Sequence, residues 1–122
     1  MKFLVTGSSG FVGRQVSKDL AESCQVFSCF HKTKPDIGTP VLMDITRTDD
    51  IENAIQKIKP DAIIHCAAMA DVNQCEKEKD LARSINVKAT ETIARQAAKI
   101  RSFLVYISTD YVFDGKHSMR KE

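Results

Sequence analysis

Two kinds of hydrophobic pattern alternate along the 122 residues of the chain. Short runs that are apolar at nearly every position are typical of strands buried on both faces of a sheet. Apolar residues that recur every three or four positions are typical of amphipathic helices. The continuous runs predict five strands, at residues 2–6, 25–30, 41–43, 61–68 and 102–108.

Three helices are predicted between these strands. The first should begin near Gly10, and its buried stripe should be Val12, Val16 and Leu20. The second should be capped by Thr48 or Asp49 and ended by Pro60, and its buried face should be Ile51, Ala54, Ile55 and Ile58. The third and longest should bury Leu81, Ile85, Ala89, Ile93 and Ala97. Residues 31–40 carry two prolines and a glycine, which predict a loop in place of a helix.

The alternation of strand and helix predicts a single α/β domain over residues 1–122, built on a doubly wound parallel sheet of the Rossmann type. Right-handed crossovers leave few topologies, of which the strand order 3-2-1-4-5 is the natural one. Ligands of such sheets bind beyond the carboxyl ends of the strands, where the strand order reverses. Here that point lies between the first and fourth strands.

Composition excludes several classes of function. A hydrophobic content of 43% suffices for a core, and a net charge of +2 gives no strong field for nucleic acid or an anionic membrane. The apolar runs are too short to span a bilayer, and no signal peptide is expected. The four cysteines form no C-x-x-C pair and have no histidine at metal-ligand spacing. We therefore expect reduced thiols, a cytoplasmic location and no bound metal.

Three glycines spaced by three residues follow the first strand directly, at Gly7, Gly10 and Gly13. Glycine permits a tight turn, close approach of a ligand and close packing of a helix on a strand. A helix N-terminus offers unpaired N–H groups and a positive dipole end, so this turn predicts a pyrophosphate site. No Lys-Ser/Thr follows the glycines, which excludes a P-loop. The plainer alternative is a glycine turn that only starts the helix.

Four stretches of the chain resemble one family. They are Thr6 followed by G-x-x-G-x-x-G, Asp44-Ile45, the string H-C-A-A at residues 65–68, and STDYVFDG at residues 108–115. Together they resemble the extended branch of the short-chain dehydrogenase/reductase superfamily, and the last string is most similar to the dTDP-4-dehydrorhamnose reductase group. The resemblance spans nearly the whole chain. Each stretch taken singly also has an ordinary structural explanation.

The cofactor site follows from the glycine turn and from this resemblance, which implies that Asp44 and Ile45 meet the adenine ring and that residues 67–69 pass along the cofactor. The predicted cofactor-binding residues are Gly7, Gly10, Phe11, Val12, Gly13, Phe30, His31, Lys32, Asp44, Ile45, Ala67, Ala68 and Met69. The second strand is followed by basic residues, with no acid before Asp36, so the 2′-phosphate of NADP(H) is favoured over NAD(H). The alternative treats these lysines as a solvated loop.

The resemblance implies transfer of a hydride to a 4-keto sugar nucleotide in dTDP-rhamnose biosynthesis. Such reductases use a tyrosine, a lysine four residues later, and a hydroxyl residue, which Thr109 matches. Thr109, Asp110 and Tyr111 are predicted to contact the substrate, and Thr109 is the candidate catalytic residue. As an alternative, Thr109 only caps a turn.

The tyrosine–lysine pair itself is missing, because neither Tyr106 nor Tyr111 has a lysine four positions on. We expect the chain to be the N-terminal cofactor-binding part of a longer enzyme, ending before the Tyr-Lys helix and inactive alone.

Two other functions stay open. The regulatory β subunit of methionine adenosyltransferase resembles the same group and has a basic string similar to residues 30–35 after its second strand. A nucleotide-sugar epimerase or dehydratase would also fit the glycine turn, but fits STDYVFDG less well. Turnover of a sugar nucleotide would separate enzyme from regulator. The sequence leaves open which sugar is bound and whether the protein forms a homodimer.

Overall fold

A computed structural model describes residues 1–109 together with Tyr111 and Lys116. It contains one five-stranded parallel sheet in the order β3-β2-β1-β4-β5, which confirms the predicted topology. The strands are β1 Lys2–Thr6, β2 Gln25–Phe30, β3 Thr39–Leu42, β4 Ala62–His65 and β5 Phe103–Tyr106. The helices are α1 Phe11–Ala21, α2 Thr48–Ile58, α3 Val72–Lys77, α4 Lys79–Arg83, a π-helix Ser84–Lys88, and α5 Ala89–Ile100.

The main hydrophobic core lies between one face of the sheet and the pair α2 and α5. Leu4 and Ile63 from the two central strands meet Ile51, Ile55 and Ile93 there, and all five side chains are buried. The helix α1 packs on β1 and β2 at the opposite face, where the buried Ser28 hydroxyl donates to Ser17 at 3.5 Å. Helices on both faces explain why the central strands are apolar at almost every position.

The predicted boundaries of several elements are wrong by a few residues. β3 begins at Thr39 instead of Val41, and β4 and β5 are shorter at both ends than the apolar runs suggested. Neither Thr48 nor Asp49 caps α2, because both lie inside the helix and Arg47 occupies the N-cap position. The buried stripe of α1 is also rotated: Gly13 and Ser17 are buried, whereas Val12 is half exposed.

The third predicted helix is a series of shorter helices that runs from α3 through the π-helix to α5. Ala89, Ile93 and Ala97 are buried as predicted, but Leu81 is 38% exposed because it lies in α4, before the π-helix. A π-helix inserts an extra residue per turn and so rotates the face that precedes it. In the described part of the chain, no helix is long and apolar enough to cross a membrane.

Candidate functional site

The glycine turn joins β1 to α1 at the point where the strand order reverses. Gly7 has a φ of +66°, a left-handed conformation that favours glycine, and its carbonyl accepts the N–H of Gly10 at 2.9 Å. The first intrahelical bond of α1 runs from Arg14 to the carbonyl of Gly10. The N–H groups of the first turn therefore point out of the helix without an intrahelical acceptor.

Steric contacts explain why two of the three positions are occupied by glycine. A Cβ on Gly7 would lie 2.8 Å from the backbone of Ala67, and a Cβ on Gly13 would lie 2.3 Å from the carbonyl oxygen of Gly7. Neither backbone can move aside cheaply, so both positions require glycine for the turn itself, whereas contact of Gly7 or Gly13 with a cofactor stays a prediction. Gly10 is less crowded, with 3.2 Å from a Cβ to the same oxygen, and its contact with a ligand stays a prediction.

A cleft formed by two adjoining cavities of about 370 and 540 Å³ opens beside this turn. Both cavities are lined by Gly7, Gly10, His31, Lys32, Ile45 and Ala67. The smaller one is also lined by Ser9, Cys29, Phe30, Thr33 and Met43. The larger one is also lined by Asp44, Thr46, Cys66, Ala68, Met69, Gln74, Leu81 and Ile85. The cleft lies at the carboxyl ends of β1 and β4, which is where doubly wound sheets bind ligands.

Most of the predicted cofactor residues line this cleft, but three do not. Phe11 is 95% exposed beside the turn, Val12 is half exposed, and Gly13 is buried beneath it. Sequence reasoning missed polar residues of the cleft such as Ser9, Thr33 and Gln74. Nothing in their local pattern distinguishes them from ordinary loop residues.

One end of the cleft carries basic side chains. His31 and Lys32 follow β2 directly, and His31 Nε2 lies 3.6 Å from a carboxylate oxygen of Asp44. The loop that carries them is held against the glycine turn, because the Ser9 hydroxyl donates a hydrogen bond to the carbonyl of Thr33. The first acid after β2, Asp36, lies in a bidentate ion pair with Arg14, with 2.6 Å as its shorter distance.

Asp44 stands at the carboxyl end of β3 as an ionised acceptor. Its Oδ1 accepts hydrogen bonds from the hydroxyl and the N–H of Thr46, at 2.7 and 2.9 Å. These bonds hold the pKa of the Asp44 carboxyl below its usual range, with smaller contributions from His31 and Arg47. The carboxylate thus stays charged beside the larger cavity.

Residues 67–69 form a wall of the cleft that begins beside the glycine turn, and hydrogen bonds fix this segment at both ends. The N–H of Ala67 donates to the Thr6 hydroxyl at 3.1 Å. Asn86, in the π-helix, accepts from the N–H of Met69 at 2.8 Å and donates to its carbonyl at 3.0 Å. The segment is irregular in backbone and yet well anchored. Neither Thr6 nor Asn86 was predicted as a site residue.

Burial disfavours the thiolate form of two cysteines. Burial raises the pKa of Cys29 to about 12 and also raises that of Cys66, and Cys75 donates to the carbonyl of Met69 at 3.2 Å. All four cysteines are free. Among the described residues, no group of three or more His, Cys, Asp or Glu side chains could hold a metal ion.

The candidate substrate residues lie after β5. Thr109 and Tyr111 are exposed, and the Thr109 hydroxyl accepts the N–H of Tyr111 at 3.3 Å. This contact is the turn-capping role that the sequence left as the alternative for Thr109. Asp110 lies outside the described residues, and neither Thr109 nor Tyr111 lines the two cavities.

The topology, the glycine turn and the cleft at the switch point define a Rossmann-type α/β protein. More specifically, the chain belongs to the family described as RmlD substrate binding domain, whose model matches residues 1–121.

Named relatives of this chain are of two kinds. The methionine adenosyltransferase 2 subunit beta of Xenopus tropicalis is 39% identical over 92% of this chain, which spans 33% of that protein. A dTDP-4-dehydrorhamnose reductase of Aggregatibacter actinomycetemcomitans is 34% identical over 96% of this chain, which spans 37% of it. The chain thus spans about a third of the length of these curated relatives.

Solved structures agree with this family. A hypothetical dTDP-4-dehydrorhamnose reductase of Sulfolobus tokodaii matches all of this chain with 41% identity and a TM-score of 0.91, and the match covers 44% of that protein. A dTDP-4-dehydrorhamnose reductase of Bacillus anthracis in complex with NADP matches 95% of this chain at 38% identity, with a TM-score of 0.81 and 39% of its own length covered. The UDP-glucose 4-epimerase of Thermus thermophilus, complexed with NAD, is 25% identical over 89% of this chain, with a TM-score of 0.80 and 38% of its own length covered.

Proposed function

We propose that this chain forms the NADP(H)-binding part of a nucleotide-sugar reductase of the dTDP-4-dehydrorhamnose reductase type. The observation that carries the proposal is the cleft at the switch point, bounded by the glycine turn, the basic residues after β2 and residues 67–69. Its family membership and the relative solved with NADP support the same cofactor class.

The cleft fits a dinucleotide in its shape and in its chemistry. Gly7 and Gly10 leave a cradle that a Cβ would narrow, and the first turn of α1 offers N–H donors for the pyrophosphate. Asp44 and Ile45 border the larger cavity and would face the adenine. Residues 67–69 would bound the path toward the nicotinamide. When bound, the cofactor supplies or accepts the hydride, and this chain holds it in place.

Preference for NADP(H) over NAD(H) rests on the charge at the end of β2. Lys32 lines both cavities, and the acid Asp36 that follows it is engaged by Arg14. NAD enzymes instead place a free carboxylate near this position to hold the ribose 2′-hydroxyl. A 2′-phosphate would thus meet a cation here.

The test is a titration of the chain with NADPH and NADH, followed by cofactor fluorescence. Lys32→Ala should weaken NADPH binding by about tenfold, as expected for one charge-assisted contact, and leave NADH binding nearly unchanged. Lys34→Ala is the matched control, because Lys34 is exposed on the same loop and lines neither cavity. Tighter binding of NADH than of NADPH by the wild-type chain would contradict the cofactor preference.

Catalysis in this proposal also needs a tyrosine with a lysine four residues later, a pair that the 122 residues do not contain. Thr109 would donate its hydroxyl hydrogen to the substrate carbonyl oxygen as negative charge develops there, and a tyrosine with its lysine would supply the proton. In the longer protein, Thr109→Val should lower turnover by roughly a hundredfold or more and leave NADPH affinity unchanged. Equal turnover would reduce Thr109 to the turn cap that its contact with Tyr111 describes.

A second function has its own support. Several relatives named methionine adenosyltransferase 2 subunit beta match more than nine tenths of this chain, at up to 40% identity. An NADP-binding regulatory subunit would use the same cleft without reducing a sugar. An epimerase or dehydratase of nucleotide sugars is the third possibility. Turnover of dTDP-4-keto sugars by a full-length protein that carries this chain separates the reductase from both, because only the reductase consumes NADPH overall.

A further inference from the structure

A buried histidine beside the cleft stands between two threonines. His65, the last residue of β4, is 1% exposed. Its Nδ1 lies 2.6 Å from the hydroxyl of Thr6, and its Nε2 lies 3.1 Å from the hydroxyl of Thr90. Thr6 and His65 are paired in register across β1 and β4, so strand pairing itself brings the first two together. His65 lines neither of the two cavities that form the cleft.

The hydrogen positions in this group can be deduced from its far end. The Thr90 hydroxyl lies 3.0 Å from the backbone carbonyl of Asn86, which can only accept, so Thr90 must donate its hydrogen there. Thr90 therefore accepts from His65, and Nε2 must carry a hydrogen. A neutral imidazole then has a bare Nδ1, which accepts from the Thr6 hydroxyl. The oxygen of Thr6 remains as the acceptor for the N–H of Ala67.

We infer that His65 is a positioning residue for the cleft, acting at the middle of a hydrogen-bond chain that runs in one direction from Ala67 through Thr6, His65 and Thr90 to Asn86. Each end of this series of hydrogen bonds fixes one end of the cleft wall, which is the segment of residues 67–69. Ala67 is the first residue of the wall, and the side chain of Asn86 binds Met69, the last residue of the wall. The inference rests on the proposed cofactor site. It gives Thr6, His65 and Thr90 one common role.

Each hydrogen bond in this series depends on the next one. In the Nδ1–H tautomer, the bare Nε2 would face the Thr90 oxygen, whose hydrogen is already donated to the Asn86 carbonyl, and the Thr6 hydroxyl hydrogen would lose its acceptor. Loss of the Thr90 hydroxyl would leave the Nε2–H without an acceptor. The imidazole ring would then no longer be fixed in one orientation and one tautomer. The hydrogen bond from the Ala67 N–H to the Thr6 hydroxyl would weaken as a result, although Thr6 itself is unchanged.

The decisive variant is Thr90→Val, because Thr90 lines neither of the two cavities. Thr92→Val is the matched control: Thr92 lies on the same helix α5, is 6% exposed and also lines neither cavity. Thr90→Ser retains the hydroxyl and should restore wild-type behaviour. All variants are compared in the 122-residue chain under conditions where each is folded.

Three measurements are combined. Ring-nitrogen NMR of the wild type should report a bare Nδ1 and a protonated Nε2 at His65. Thr90→Val should speed hydrogen exchange of the Ala67 amide by about tenfold and weaken NADPH binding by about fivefold, as expected for one lost hydrogen bond. Thr92→Val and Thr90→Ser should leave both quantities within about twofold of wild type.

The possible failures are distinguishable. A wild-type chain that binds neither NADPH nor NADH refutes the proposed function, whatever the histidine does. A protonated Nδ1 at His65 refutes the proposed series of hydrogen bonds. An exchange rate of the Ala67 amide that is unchanged in Thr90→Val refutes it as well. NADPH affinity that falls equally in Thr90→Val and Thr92→Val would mean that α5 acts only through general stability, and this too overturns the positioning role.

Discussion

At the scale of single residues, the molecule keeps one ionisable ring neutral in its interior. Burial lowers the pKa of His65 to about 4, from the ordinary value of 6.5, because the protonated ring would lose its hydration. Both ring nitrogens are already engaged by threonine hydroxyls, and Tyr106 stacks on the ring with 5.6 Å between centroids. The neutral form is thus the one that the fold accommodates.

This histidine predicts a pH dependence of stability. Between about pH 4 and 6.5 the unfolded chain binds a proton at His65 that the folded chain excludes, so acid favours unfolding. The contribution of His65 should be complete above about pH 6.5 and should fall by roughly 3 kcal/mol as the pH drops to about 4. Urea unfolding of wild type and His65→Gln at several pH values measures it, since the other titrating groups cancel in the difference. A parallel pH dependence of the two proteins would contradict it.

The glycines allow a second prediction at this scale. Gly13→Ala should gain about 1 kcal/mol of helix propensity but lose more through overpacking, because its Cβ would lie 2.3 Å from the Gly7 carbonyl oxygen. We expect net destabilisation of about 2 kcal/mol or more. Gly10→Ala is the matched comparison, with a 3.2 Å approach and an ordinary φ of −82°, so its stability should change by less than about 1 kcal/mol.

The two glycine variants should separate folding from binding. Gly10→Ala should bind NADPH about tenfold more weakly, because the new methyl group occupies the space proposed for the pyrophosphate. Urea unfolding and NADPH titration of both variants give the result. A Gly10→Ala chain with unchanged affinity would remove Gly10 from the proposed site.

At the scale of elements, α2 ends in a left-handed residue that is not glycine. Lys59 has a φ of 49° and donates its N–H to the carbonyl of Ile55 at 2.8 Å. A side chain with a Cβ is strained in this conformation, which glycine adopts freely. Pro60 follows directly and is buried, so the helix cannot extend to relieve the strain.

Two substitutions at the end of this helix should therefore change the free energy of unfolding in opposite directions. Lys59→Gly should raise the free energy of unfolding by about 0.5–1 kcal/mol, because it removes the left-handed strain. Lys57→Gly, two residues earlier and still helical, should lower it by about 1 kcal/mol through lost helix propensity. Both lysines are exposed, so no packing changes intervene. Chemical denaturation measures the pair, and destabilisation by both would show that the strain at Lys59 is negligible.

Periodicity identifies elements whose environment repeats and misses those set by tertiary contacts. The strands and their order were predictable because buried parallel strands read as continuous apolar runs. The face of α1 was not, because it packs through Gly13 and Ser17, which carry little hydrophobic signal. The π-helix was missed for a related reason: Asn86 faces Met69, and this contact between distant residues has no local signature.

At the scale of the whole molecule, topology made the site predictable and side-chain chemistry limited the prediction. The switch point follows from strand order, so Gly7 could be assigned to the cleft from topology and Lys32 from its position after the second strand. Asp44 and Ala67 were assigned only through the family resemblance. The chain of hydrogen bonds through His65 could not be placed, because it depends on register between β1 and β4 and on the rotation of the helix that carries Thr90. Polar residues ending two neighbouring buried strands were the only available signal.

The cleft is formed by β1, α1, the loop after β2, the end of β3 and the segment after β4, so a bound dinucleotide should hold together elements that are far apart in sequence. A ligand that binds only the folded chain stabilises it by RT ln(1 + [L]/Kd), about 2.7 kcal/mol at a hundred times Kd. For a chain of this size, NADPH at that concentration should raise Tm by roughly 8–15 °C.

NADH at the same concentration should raise Tm less than NADPH does. Lys32→Ala should make the two Tm shifts similar, whereas Lys34→Ala should leave them different. Differential scanning fluorimetry of the three proteins with each cofactor gives the comparison. Equal shifts by NADPH and NADH in the wild-type chain would contradict a role of Lys32 in recognising the 2′-phosphate, and no shift by either would contradict the cleft as a dinucleotide site.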